Sequence, residues 1–118
     1  MQRMIAAAAV ALLVGGVGGY VLHGQGILRT LGAGTISCGK WLEERREMSL
    51  IAAAAESWVN GYLTGIQDDS AGNYGLTDNQ AGDLEGRSAW LDQYCQGHPI
   101  DGLKKASYQL YEALRAKR

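Results

Sequence analysis

Apolar positions fall into two regimes along this chain. From Met4 to Leu22 they are nearly continuous and no charged residue interrupts them. Beyond Ser37 they recur every three or four positions among polar residues, the spacing of helices that bury one face. Four helices are predicted from that spacing. Ser37 caps a short first helix through Trp41 and Leu42, which ends in the charged turn Glu43 to Glu47. A second helix starts near Met48 or Ser49 and carries Ile51, Ala55, Trp58, Tyr62 and Ile66 as one buried stripe. Gly61 and Gly65 sit four apart on the neighbouring face. Each costs a helix up to about 1 kcal/mol relative to Ala, so the pair predicts another backbone packing close. The segment DDSAGNYGL, residues 68–76, has turn formers and no period, and reads as an exposed loop. Thr77 and Gln80 have capping-box spacing and open a third helix whose inward positions are Ala81, Leu84, Ser88, Leu91 and Cys95. Gly97 ends it. Pro99 at a first helical position and Asp101 in the first turn begin a fourth, with Ile100, Leu103, Ser107, Leu110 and Leu114 inward. Arg115, Lys117 and Arg118 suit the negative end of that helix. The expected fold is all-α: a compact, disulfide-linked bundle of about four helices behind an N-terminal hydrophobic leader helix.

The first regime changes the biological setting. Residues 1–26 read as a signal peptide or an N-terminal membrane anchor, 27–36 as a linker and 37–118 as the helical domain. One basic residue, Arg3, precedes the apolar run, as in export signals. The run is also close to the roughly 20 residues that span a bilayer, so a retained transmembrane helix stands beside cleavage. Ala7, Ala11, Gly15 and Gly19 fall four apart, the spacing that lets membrane helices approach, although signal cores are rich in small residues anyway. Gly24 and Gly26, or Gly32 and Gly34, are candidate cleavage positions. The domain is therefore expected in the periplasm or otherwise exported, anchored to the inner membrane if the leader is kept. Membrane contact would run only through residues 4–22.

Export gives the two cysteines a meaning. Cys38 and Cys95 are the only pair, and in an oxidising compartment they read as one disulfide. Closing a loop of that length stabilises a fold by ~4 kcal/mol in the chain-entropy treatment. A zinc site would need more ligands than His98 adds to them.

Charge and side-chain chemistry narrow the function. A net charge of −1 argues against a nucleic-acid partner, which would demand a concentrated basic face. Asp68 and Asp69 are adjacent, so their carboxylates point apart, and nothing nearby would raise a pKa for hydrolytic work. Asp68, Asp69, Asn73, Asp78 and Asp83 do not follow the spacing of a calcium-binding helix–loop–helix. His98 precedes Pro99 with no nucleophile assigned beside it, which suits a helix cap. No strand precedes Gly32-Ala-Gly34, so a phosphate cradle there is unsupported. The expectation is a non-enzymatic protein with no metal and no cofactor. Its binding residues would be Trp58, Gly61, Tyr62, Gly65, Asp68 and Asp69, although aromatic rings at helical spacing are more often core.

The stretches SCGKWLEER, SWVNGYLTG, LTDNQAG and AWLDQYCQGHPIDGLKKA, within residues 37 to about 114, carry a family likeness. They resemble the small exported bacterial helical proteins of the HdeA/HdeB acid-stress chaperone type, in which a late Cys-x-x-x-Pro pairs with an early cysteine across about four helices. The chain is also similar to type VI secretion immunity proteins of this size, which share a Gly-Tyr-Leu-x-Gly helix. The first likeness implies a dimer that opens in acid to hold unfolded clients. Its switch would lie in carboxylates such as Glu43, Glu44, Asp68, Asp69, Asp92 and Asp101. The second implies a fixed surface that neutralises one secreted toxin. A subunit of an envelope complex, held by its leader, is the third expectation. In each case the partner is a protein: a client, a toxin, a complex subunit or a second copy as a homodimer.

Overall fold

The computed structural model of the chain describes residues 29–68 and 75–118. The leader at 1–26, residues 69–74 and with them Asp69 lie outside the described residues. The expected transmembrane helix has to be corrected. Among the described residues no helix is long and apolar enough to cross a membrane, and residues 4–22, where that helix was placed, are not among them.

The described chain is all-α. After a 3-10 turn at Gly32–Thr35 come α1 (Cys38–Glu47), α2 (Leu50–Gln67), the single turn α3 (Asp78–Ala81), α4 (Leu84–Gly97) and α5 (Leu103–Arg115). Local chemistry sets most of their starts. Ser37 accepts from the Lys40 N–H, Ser49 from the Ala52 N–H and Asp83 from the Gly86 N–H, each satisfying an amide that the helix leaves unpaired. Thr77 and Gln80 form a reciprocal capping box as expected. The helix they open lasts one turn, because Gly82 at φ +63° turns the chain out and Asp83 caps a new one. The expected third helix is thus two. The expected start of the fourth is also late. Pro99 and Ile100 stay in the α4–α5 connection, α5 begins at Leu103, and Ile100 is 93% exposed.

The core forms where α1, α2, α4 and α5 meet. Trp41, Ala55, Val59, Leu63, Leu91, Leu103, Ala106, Leu110 and Tyr111 are buried around the bonded pair Cys38–Cys95, whose Cα atoms lie 4.8 Å apart. Backbone bonds close the same corner. The first amides of α1, at Cys38 and Gly39, donate to the carbonyls of Asp101 (2.7 Å) and Pro99 (3.0 Å), and Leu103 N–H donates to the Ile36 carbonyl (2.9 Å). The connection before α5 therefore does for α1 what solvent or a side chain usually does for a helix start.

The buried stripe of α2 is rotated from its expected position. Ala52, Ala55, Val59 and Leu63 face inward, Ile51 is about half exposed, and Trp58, Tyr62 and Ile66 are only partly buried. Both stripes have helical period, and the winning one is smaller in volume. Trp41 and the disulfide already fill the centre, so α2 fits there through a stripe of aliphatic residues, Ala52, Ala55, Val59 and Leu63, without an aromatic ring. Trp58 finds another role. Its indole N–H donates to the Leu31 carbonyl (2.8 Å), its ring stacks on Tyr62 with centroids 5.2 Å apart, and a side chain at Gly34 would fall inside that ring. Part of the expected 27–36 linker is consequently packed onto α2 by Trp58.

Candidate protein-docking surface

The residues expected to bind fall on one side of α2, but not as a groove. Trp58, Gly61, Tyr62 and Gly65 share a face by helical register, and Asp68 is exposed at the helix end. Nothing lies within 4 Å of where a side chain at Gly61 or Gly65 would begin. The expected close backbone is therefore absent among the described residues. With Val59 and Leu63 turned inward, positions 61 and 65 point outward. Burial of Tyr62, with a smaller contribution from Tyr108, pushes its phenol pKa up.

A surface that the sequence did not single out lies at the junction of α1 and α2. Met48 terminates α1 in the left-handed conformation, φ 49° and ψ 44°, with its N–H turned back to the carbonyls of Glu44 and Arg45. This position usually holds glycine, because a Cβ there crowds the backbone. Met48 is the only described non-glycine residue with positive φ, and its side chain is 88% exposed. Leu50 next to it is 90% exposed. Two concavities, of ≈ 480 Å³ and ≈ 440 Å³, meet at Arg45 and Met48; Leu84, Ala52 and Ala53 line the first, Leu42 and Gln96 the second.

A charged network fixes this ridge from beneath. Arg45 grips Asp92 with two parallel bonds, Nε to Oδ1 at 3.0 Å and Nη2 to Oδ2 at 2.8 Å, while Nη1 reaches Glu56 at 3.2 Å. The Trp41 indole N–H donates to the same Asp92 (2.8 Å), and the guanidinium lies over the Trp41 ring. One arginine thus ties α1 to α2 and α4 in the planar geometry that suits a carboxylate. The Asp92 carboxylate holds the Arg45 pKa above its ordinary value.

Glu44 completes the junction. It is 5% exposed, bonded by the Lys40 ammonium at 2.8 Å, and it accepts from the Ser49 hydroxyl. Lys40 first and Ser49 second hold its carboxyl below the usual range. At the other end of the domain the Tyr94 hydroxyl does the same for Asp101, with Lys105 assisting; burial, and then Asp101 itself, push the Tyr94 pKa up. Trp90, Tyr94 and His98 stack in sequence along α4, and His98 caps its C-terminus.

Among the described residues no group of three His, Cys, Asp or Glu side chains is arranged to hold a metal ion. The Met48 ridge escaped sequence reading because Met48 and Ser49 both looked like a helix start. The one usable signal was a charged helix end followed directly by a new cap, with no glycine between them. No protein-family model, no curated protein and no solved structure matches the chain.

Proposed function

We propose that this chain is an exported, non-enzymatic module that seats one folded protein partner on the Met48 ridge, the type of function that toxin-neutralising immunity proteins perform. Met48 carries the reading. A single residue breaks two local rules, keeping a side chain where glycine would relieve strain and keeping that apolar side chain in water. Such exceptions concentrate at functional sites. The Arg45–Asp92 clamp supports the same reading, since a binding anchor gains affinity when its ordering cost has been met beforehand. The disulfide agrees with an oxidising compartment.

Met48→Gly tests it. The variant removes the anchor and suits the backbone, so the domain should be as stable as the parent or more so, by up to about 1 kcal/mol. Affinity capture from envelope extract should return one stoichiometric protein with the parent and none with the variant. Equal recovery by both would sink the reading.

A chaperone of acid-denatured clients is the second reading, favoured by Glu44. A buried carboxylate with a depressed pKa stabilises the fold above its unfolded value and ceases to do so in acid. Recovery of many denatured proteins at low pH, and of none at neutral pH, would favour it over the first.

A further inference from the structure

A separate concavity, away from the Met48 ridge, has no part in the docking surface. It measures ≈ 580 Å³ and lies between α3, α4 and the end of α5, where Arg87 and Lys117 face an apolar wall of Trp90, Leu110, Ala113 and Leu114. That volume is in the range of small-ligand sites. Gly82, at φ +63°, folds the chain around it.

The charges here are not balanced as they are beneath Met48. Among the described residues the Arg87 guanidinium donates to neutral oxygens alone: Nη1 to the carbonyls of Ala81 (2.9 Å) and Gly82 (3.0 Å), Nη2 to Asn60 Oδ1 (3.1 Å). Its Nε is buried and has no acceptor among the described residues. Lys117 Nζ donates to the Gln80 carbonyl at 3.2 Å. Among the described residues neither cation pairs with a carboxylate. Asp83 is the one acid in the lining, and its Oδ1 is engaged by the Gly86 N–H at 2.7 Å. The lining so keeps a single net positive charge beside an apolar wall. A cation in a partly desolvated site favours an anion that can form charge-assisted bonds, and the apolar wall favours a hydrocarbon or aromatic body. Asp83 disfavours a dianion such as a phosphate ester, by like-charge repulsion.

We propose that this cavity binds an apolar monocarboxylate, its carboxylate directed to Arg87 and Lys117 and its apolar body lying against Trp90, Leu110 and Ala113. The proposal stands apart from the Met48 reading. The chemistry could be supplied by the C-terminal residue of a peptide or by a free acid, and two probes separate these sources.

Oxidised full-length protein is titrated with N-acetyl-phenylalanine, which mimics a chain end, and with 3-phenylpropionate, a free acid; N-acetyl-phenylalaninamide is the neutral control. The readout is the Trp90 indole N–H resonance. Both acids should shift it, and the amide should bind at least about tenfold more weakly, the scale of a lost charge-assisted hydrogen bond. The acids should weaken with added salt, as a charge-dependent interaction does. Tighter binding of the first acid would assign a chain terminus, tighter binding of the second a free acid. Lys117→Gln should weaken the acids and leave the amide unchanged. Ala113→Phe should fill the cavity and abolish all three, with unchanged thermal unfolding as the check on folding. Met48→Gly should bind the acids like the parent, which keeps failure here distinct from failure of the docking surface. Equal binding of acid and amide, no shift by either acid at millimolar concentration, or retained binding in Ala113→Phe would overturn the proposal.

Discussion

The two ends of α1 are built on opposite principles. At its start, Cys38 and Trp41 are buried, a covalent bond joins α1 to α4, and backbone carbonyls from the α4–α5 connection receive its first amides. At its end, ten residues on, Glu44 and Arg45 are held by ionic bonds, and the residues that follow, Met48 and Leu50, stand in water. The first end derives most of its stability from excluded water and a crosslink, which respond little to salt or acid, with the Tyr94–Asp101 bond an acid-sensitive contribution beside them. The second relies on charge, which responds to both. A domain made this way can keep its fold while the presentation of one surface is adjusted, and the comparison suggests where each perturbation should act.

The greatest loss should follow removal of the crosslink. Cys95→Ala opens a closed loop of 57 residues and should cost about 4 kcal/mol, within the ~2–5 seen for native bridges in small domains. Denaturant unfolding checks this, and a loss under 1 kcal/mol would mean that the start of α1 is held by packing alone. Next is Leu91→Ala, a cavity at the centre of α4 where the side chain is 1% exposed. A loss of about 3 kcal/mol is expected, with no dependence on salt between dilute and concentrated buffer.

The ridge should behave differently under the same measurement. Asp92→Ala deprives Arg45 of its bidentate partner and the Trp41 indole of its acceptor, and should cost about 1–3 kcal/mol. That loss should shrink as salt is raised, in contrast to Leu91→Ala, and it should weaken partner capture beyond its effect on stability. Equal salt response of the two variants would erase the distinction between the ends.

The smallest effect belongs to Glu44 and shows in the pH dependence of stability. Its folded-state pKa lies below the ordinary 4.5, so the stability it contributes is present above about pH 5 and is lost as pH falls through the folded value. Asp101 adds a second contribution of the same sign, from below its ordinary 3.8. Glu44→Gln should therefore lower stability modestly at neutral pH, where the ionised carboxylate makes its bonds, and converge on the parent as pH falls, which flattens the acid limb of the pH–stability curve. A curve of unchanged shape would show that the Glu44 bonds contribute nothing to acid sensitivity.

Much of this could be read from the residues in order. The helical spacing, the caps at Ser37, Ser49 and Thr77, the inward row Ser88, Leu91 and Cys95, and the pairing of the two cysteines depend on local periodicity, on side chains reaching amides three positions on, and on a compartment that favours oxidation. Those are short-range or compositional facts, and a sequence states them directly. Which stripe of α2 turned inward was decided elsewhere, because two stripes had the same period and only the space left around Trp41 and the disulfide chose Ala52, Ala55, Val59 and Leu63. For the same reason Gly61 and Gly65, expected to meet a backbone, face open space. The clamp from Arg45 to Asp92 spans 47 positions, and Arg87 is joined to Asn60 across 27. Such pairings are invisible to any local pattern, since the charges acquire partners, or are left without carboxylates, only when the helices have packed. Tertiary structure alone therefore placed the Met48 ridge and the cationic cavity on the surface, whereas the sequence by itself determined the helices that hold them.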